Sequence, residues 1–248
     1  MKPIQQQTRN LYAPPKGKYF NVFPTPMFHG TVNLNHEMVS NHCRDIVNRM
    51  PKGNLDTEYT TYFDNDAREE THNQPWFNSF ANQMKDSYID FIKSQFFFET
   101  PFNRHHIHLF AWVSVYNKPH SHESHNHVKS RISGTYYPLA DGDSMPIKFF
   151  NPNMSSVFSH GARDETMQIE GHDQIDYMGT RGAQTDMSFY PKTGDFLLWP
   201  SYMQHCVPLS QQEEDIERIA ISFNLQHAED LGSYHHGDDF DYSVLDYE

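Results

Sequence analysis

The chain has 248 residues, of which 37% are hydrophobic and 15% aromatic, with Phe (19) and Tyr (14) supplying much of the apolar material. That length suits one domain with extensions, or one barrel-type all-β domain. The formal net charge is −13, a surface that repels phosphate backbones and anionic lipid, so neither nucleic acid nor membrane is an expected partner.

Two cysteines, Cys43 and Cys206, supply neither a disulfide framework nor a zinc-type pair. The polar, proline-bearing start of the chain has no apolar core of signal-peptide length. No stretch reaches the roughly 18 apolar residues of a membrane span. The expectation is a cytoplasmic, soluble protein. Its 17 histidines stand out, because histidine is the commonest metal-binding side chain.

Residues 1–19 read as a flexible arm. Prolines 24 and 26 exclude helix, so residues 21–32 read as a short extended segment. From His36 to Met50 the apolar positions Val39, Cys43, Ile46, Val47 and Met50 recur at helical spacing, with Asn35 as N-cap. Residues 51–74 are polar and turn-rich. A second helix is predicted over 75–96, with Pro75 at its start and Phe77, Phe80, Met84, Tyr88, Phe91 and Ile92 on one core-facing stripe.

After Pro101 the texture becomes β. Residues 106–116, 131–139 and 146–150 read as strands. Residues 151–190 hold few apolar runs and read as a long loop or insertion with at most short strands, the length of a lid or binding loop. Residues 194–202 and 216–226 read as the closing strands. The acidic, aromatic tail 227–248 is assigned no element, and no internal repeat is visible. The fold class expected is mainly β (α+β): two N-terminal helices packed on one face of a β-sandwich or jelly roll.

The segment 119–134 carries His120, His122, His125 and His127. Residues two apart on an extended strand point to the same face, so an H-x-H pair can aim two imidazoles at one cation. His205, after the GDFLLWPS segment, is the best third candidate. Three rival pairs have weaker support. His106 and His108 have no downstream mate, His227/Glu229 comes after the last core strand, and His236/Asp238 leaves no room downstream for a distal histidine and an arginine. His205 and Arg218 lie 13 residues apart on successive predicted strands. A distal histidine followed by an arginine in an apolar strand suits a cosubstrate with a keto-acid end for the metal and a far carboxylate for the guanidinium. The competing reading makes Arg218 a surface residue paired with Glu217 or Glu214.

These residues resemble a known family. FPTPMF (23–28), AWVSVYNK (111–118), HNHVKSRISGTYY (125–137), GDFLLWPSYMQH (194–205) and RIAISFN (218–224) together resemble the 2-oxoglutarate/Fe(II)-dependent oxygenases of marine bacteria and their phages. The third segment resembles that family's H-x-H-P-x-S-x-x-S-G-x-Y-Y, with Val128 where the family has proline. The resemblance covers roughly residues 20–226. It implies a single double-stranded β-helix domain there, with the jelly roll beginning near 104.

It further implies an enzyme using Fe(II), 2-oxoglutarate and O2, a hydroxylase of an unidentified small molecule or protein side chain. A homodimer is compatible with it, and a phage-encoded copy would act in the host cytoplasm. Carried over position by position, His125, His127 and His205 are the metal ligands and Arg218 binds the cosubstrate carboxylate, with Tyr136 or Tyr137 adding a hydroxyl. Such sites typically use two histidines and a carboxylate. The third ligand is therefore open between His127 and a carboxylate, with Glu123 the nearby option and Asp195 at a turn. Two rivals stand beside this reading: a cupin-type three-histidine dioxygenase without 2-oxoglutarate, and a non-enzymatic jelly-roll binding module.

Overall fold

A computed structural model describes residues 25–50, 59–96, 104–117, 120–127, 130–143, 145–152, 166–169, 172–180, 183–210 and 216–227. The predicted arm, the tail beyond 227 and residues 153–165 lie outside the described residues.

Helix α1 (His36–Arg49) begins where Asn35 accepts the Met38 amide, and it buries Val39, Cys43, Ile46 and Val47. A short 3₁₀ turn (Thr61–Phe63) leads into helix α2 (Asn65–His72), capped by the Asp64 side chain on the Ala67 amide. This helix falls inside the stretch expected to be turns. It buries Ala67, Arg68 and Thr71, so its inward face carries little of the apolar periodicity by which helices are read. Helix α3 (Phe77–Phe96) starts two residues after Pro75. All six residues of its apolar stripe are buried, with Phe80, Met84 and Tyr88 at 0% exposure.

Eleven described strands, one before the helices and ten after them, form two antiparallel sheets. Strands β1 (Phe28–Thr31), β9 (Asp195–Pro200), β4 (Ile132–Leu139), β11 (Arg218–His227) and β2 (Ile107–Tyr116) form the first in that spatial order. Strands β3 (His122–His125), β10 (His205–Val207), β5 (Ile147–Phe150), β8 (Ala183–Phe189), β7 (His172–Thr180) and β6 (Thr166–Ile169) form the second. Residues 166–189, expected to be mainly loop, thus extend the second sheet as three paired strands. Their sequence is polar and broken by glycine, and backbone pairing rather than an apolar run defines them.

The inner strands of the first sheet, β9, β4 and β11, are buried on both faces. Along β11, Ile219, Ile221, Phe223 and Leu225 join the helices in one apolar cluster. Ala220 joins Tyr116, Tyr137, Leu197 and Trp199 in a second cluster, against Ile147, Phe149, Phe189 and Val207 of the opposite sheet. Side chains of a strand alternate between faces, so a strand with two apolar neighbours reads as a nearly continuous apolar run. Each fully buried large side chain contributes roughly 1.5–3 kcal/mol. Gly134 in β4 fits because there is no room for more. A Cβ there would lie 2.4 Å from the Phe223 ring and 2.7 Å from the Leu197 carbonyl oxygen. The double-sided packing makes the first sheet a rigid floor, and the candidate site lies between it and the second sheet.

Candidate functional site

Strands β3 and β10 place His125 and His205 directly opposite each other in register. Their ring centroids are 4.3 Å apart. His127 lies two residues past the end of β3, not on it, so the same-strand geometry expected from H-x-H does not hold. Its amide instead donates to the Ser201 carbonyl at 2.9 Å, which ties it to the turn between β9 and β10. Its ring lies parallel to His205, with the two Nε2 atoms 3.3 Å apart. One candidate ligand atom from each of the three residues falls within 4.8 Å of the others.

The tautomers follow from the partners. Nδ1 of His125 sits 2.8 Å from the Glu123 carbonyl oxygen, and Nδ1 of His205 sits 3.0 Å from the Met203 carbonyl oxygen. A carbonyl only accepts, so both Nδ1 atoms carry hydrogen and both Nε2 atoms present a lone pair. Burial holds His205 down to about 2 and His127 down to about 3, with neighbouring histidines adding to the effect. His125 is lowered for the same first reason. The rings are neutral at physiological pH, which is the form that binds metal. Neutral nitrogen donors converging within a few ångströms suit a divalent first-row cation and leave coordination positions open. Among the described residues the group contains no carboxylate. Glu123 is exposed and contributes its backbone carbonyl, and Asp195 is engaged by His29 at 3.0 Å and by the Lys192 amide.

The three histidines line an open pocket of about 390 Å³ with Trp112, Tyr116, Tyr137, Trp199 and Arg218. Arg218 is 2% exposed. It lies on the inner face, whereas Glu217 pairs outside with Arg44; the surface reading of Arg218 is thereby excluded. Its Nη1 donates to the Met145 carbonyl, and Met145 holds a left-handed backbone (φ 46°) that non-glycine residues seldom adopt. The guanidinium stacks 4.5 Å from the Tyr116 ring centroid and 5.5 Å from that of Tyr137. Among the described residues no carboxylate forms an ion pair with it, and its Nε–H has no partner.

Two more buried donors of this pocket lack a partner of good geometry among the described residues, the Tyr137 hydroxyl and the Trp199 indole Nε1–H. Buried polar groups are nearly always satisfied. A buried cation with free donors beside it is what a carboxylate ligand would complete. The residues therefore fit both a metal ion and a dicarboxylic keto acid.

Of the two tyrosine candidates, only Tyr137 lines the pocket. Tyr136 faces the helices, where its hydroxyl meets His36 Nδ1 at 2.7 Å and its ring packs on Phe80; it is removed from the cosubstrate site. His122 was not singled out from the sequence. Its ring stacks on His125 at 4.1 Å, and burial first, then His125 and Arg218, lower it to about 4. Tyr116, Trp112 and Trp199 were also missed as pocket residues. Alternation along β2 and β9 carries that signal, because Tyr116 is directly opposite Arg218 in the β2–β11 register. The rival histidines 106 and 227 pack against each other and line no part of the pocket.

Fold and site together define a jelly-roll protein with three clustered histidines that could hold a metal ion and a buried arginine in the same pocket. Residues 110–224 match the model of the family described as "Putative 2OG-Fe(II) oxygenase". That segment holds all three clustered histidines and Arg218, and through it the chain is similar to the 2-oxoglutarate- and iron-dependent oxygenases, an oxidoreductase family. Among solved structures, a Pseudomonas putida prolyl-4-hydroxylase is 11% identical, with coverage of 82% of this chain and 93% of that one and a TM-score of 0.49. HygX from Streptomyces hygroscopicus with nickel and 2-oxoglutarate bound is 11% identical, with 81% and 83% covered and a TM-score of 0.47. No curated protein sequence matches the chain. Among the described residues no helix is long and apolar enough to cross a membrane.

Proposed function

We propose that the protein is an Fe(II)- and 2-oxoglutarate-dependent dioxygenase that hydroxylates an unidentified small molecule or protein side chain. In this reading His125, His127 and His205 hold the iron through their Nε2 atoms. Arg218 forks onto the far carboxylate of 2-oxoglutarate, and the Tyr137 hydroxyl donates to the same carboxylate. Trp199 offers a further N–H from the pocket wall, and Trp112, stacked on His127 at 5.6 Å, closes the other side of the metal site. Iron, when bound, supplies O2 activation coupled to oxidative decarboxylation of the keto acid. The chain's own groups bind, orient and exclude water.

The observation that carries this reading is Arg218: a buried guanidinium with no carboxylate partner and a free Nε–H among the described residues, in the pocket that also holds three metal-competent imidazoles. An all-histidine cluster also suits a dioxygenase without 2-oxoglutarate. That alternative leaves the buried cation without a counter-ion, and so leaves Arg218 unexplained.

The test is succinate formation from 2-oxoglutarate under air with Fe(II), followed by mass spectrometry. Wild type should form succinate slowly even without its substrate, and His205→Ala should form none. Equal yields from both proteins would end the assignment.

A further inference from the structure

The family-like segment 125–137 contains two serines, Ser130 and Ser133, and the segment 218–224 ends on Asn224. None of these three touches the cosubstrate pocket. They form, with Ser201, a chain of hydrogen bonds behind His127. Ser130 Oγ lies 2.9 Å from the Ile132 carbonyl oxygen and 3.0 Å from Ser201 Oγ. Ser201 Oγ lies 2.9 Å from Ser133 Oγ, and Ser133 Oγ lies 2.9 Å from the amide end of Asn224 that is placed as Oδ1. The chain is fastened to His127 at its backbone as well. The Ser201 carbonyl accepts the His127 amide, and the Ser130 amide donates to the His127 carbonyl. The Asn224 side chain hydrogen-bonds the His127 ring.

These four links need four hydrogens, and the three hydroxyls supply three. The Ile132 carbonyl can only accept, so it takes the Ser130 hydrogen. The Ser130–Ser201 link then takes the Ser201 hydrogen, and the Ser133–Ser201 link takes the Ser133 hydrogen. Nothing remains for the last link except an amide N–H, so the hydrogen count turns the Asn224 amide end for end from its placed orientation and presents Nδ2 to Ser133. An amide's two ends exchange by a half-turn. With Nδ2 on Ser133, the carbonyl oxygen Oδ1 faces His127. An oxygen there requires a hydrogen on the ring nitrogen it meets. His127 Nε2 is already placed against His205 Nε2, so that hydrogen belongs on Nδ1.

We propose that Asn224 is the positioning residue for His127: backed by Ser130, Ser133 and Ser201, its amide oxygen accepts His127 Nδ1–H and leaves Nε2 free to bind metal. This rests on the reading of His125, His127 and His205 as the iron site. All three rings then share one arrangement, Nδ1–H on an oxygen and Nε2 on the metal. His125 and His205 find backbone carbonyls for this; His127, beyond the end of its strand, has a side chain instead. The role explains a ligand position without a carboxylate. A carboxylate needs no tautomer selection, whereas an imidazole there needs an acceptor behind it.

The test is anaerobic Fe(II) affinity of the full chain in a double-mutant cycle. Asn224→Ala should weaken Fe(II) binding about 10- to 100-fold, and Asn224→Asp, which keeps an acceptor, should restore it close to wild type. In a His127→Asp background, Asn224→Ala should cost nothing further. Equal loss in both backgrounds, or no rescue by Asp, makes Asn224 merely structural and overturns the proposal.

A second readout covers the case of poorly folding variants: ¹⁵N spectra of histidine rings in zinc-loaded wild type. Hydrogen on Nδ1 of His127 is expected; metal on Nδ1 refutes the proposal. The two readings fail separately. If wild type and His205→Ala bind Fe(II) alike, the metal site itself is wrong and this role goes with it. If His205→Ala loses iron while Asn224→Ala keeps it, only the positioning role is wrong.

Discussion

Replacing Arg218 by Met tests the cosubstrate assignment with effects of opposite sign on binding and stability. The side chain is 2% exposed, so its charge is held out of water in the protein without ligand. The Met145 carbonyl, the Tyr116 hydroxyl and two aromatic faces offset part of that cost, but no carboxylate among the described residues does. Truncating one partner of a buried charge pair costs about 2–5 kcal/mol, so 2-oxoglutarate affinity should fall roughly 30- to 4000-fold.

Met is unbranched, apolar and of similar reach. It removes an uncompensated buried charge from the ligand-free protein, which should gain about 1–2 kcal/mol, the low end of what apolar replacement of buried charge yields. For a chain of this size that is roughly 2–8 °C in Tm. The assays are calorimetric titration of 2-oxoglutarate into metal-loaded protein and differential scanning calorimetry without ligand. A variant that loses several degrees while keeping its 2-oxoglutarate affinity would show Arg218 to be a structural cation. The cosubstrate assignment would then be refuted.

Three further outcomes are expected. Fe(II) at about 100 times its Kd should stabilise wild type by roughly 2.7 kcal/mol, some 5–11 °C; His205→Ala should show no metal-dependent shift by scanning fluorimetry. Tyr137→Phe should weaken 2-oxoglutarate binding by about 1.5–3 kcal/mol, the range for a hydrogen bond to a charged group. Tyr136→Phe should leave that affinity unchanged and cost about 0.5–1.5 kcal/mol in denaturant unfolding through loss of the His36 bond. His72, half-buried against Phe77 with a ring nitrogen 3.2 Å from the Ala111 carbonyl, is lowered chiefly by loss of solvent around the ring. Its folded pKa below the unfolded value near 6.5 means its stabilising contribution is present above that pH and lost on acidification. His72→Gln should therefore lose less stability than wild type between about pH 7 and about pH 5; identical pH slopes would contradict this.

The two long helices and the β11 strand were legible because apolar burial is periodic in one and continuous in the other. Helix α2 was not, since Arg68 and Thr71 occupy buried positions that usually carry apolar residues. The β6–β8 strands were hidden for a related reason: their polar sequence lacks the alternation by which a half-buried strand announces itself. At the site, residue types and spacing brought His125, His127, His205 and Arg218 to attention. Choosing between Tyr136 and Tyr137 needed the strand register, and β4 against β11 carries an irregularity between Ile219 and Ile221 that no sequence count reveals. Likewise His127 leaves its strand before it reaches the cluster, and Asn224 meets it only through three-dimensional pairing of β11 with β4.

The central claim is that three histidines and Arg218 together hold iron and 2-oxoglutarate. Its most direct test is anaerobic addition of Fe(II) and then 2-oxoglutarate to the metal-free protein, monitored for the weak visible charge-transfer band of a chelated keto acid. The band should form with wild type and fail to form with either His205→Ala or Arg218→Met at the same concentrations. Iron binding without a band would contradict the cosubstrate assignment. Absence of iron binding would contradict the metal site itself.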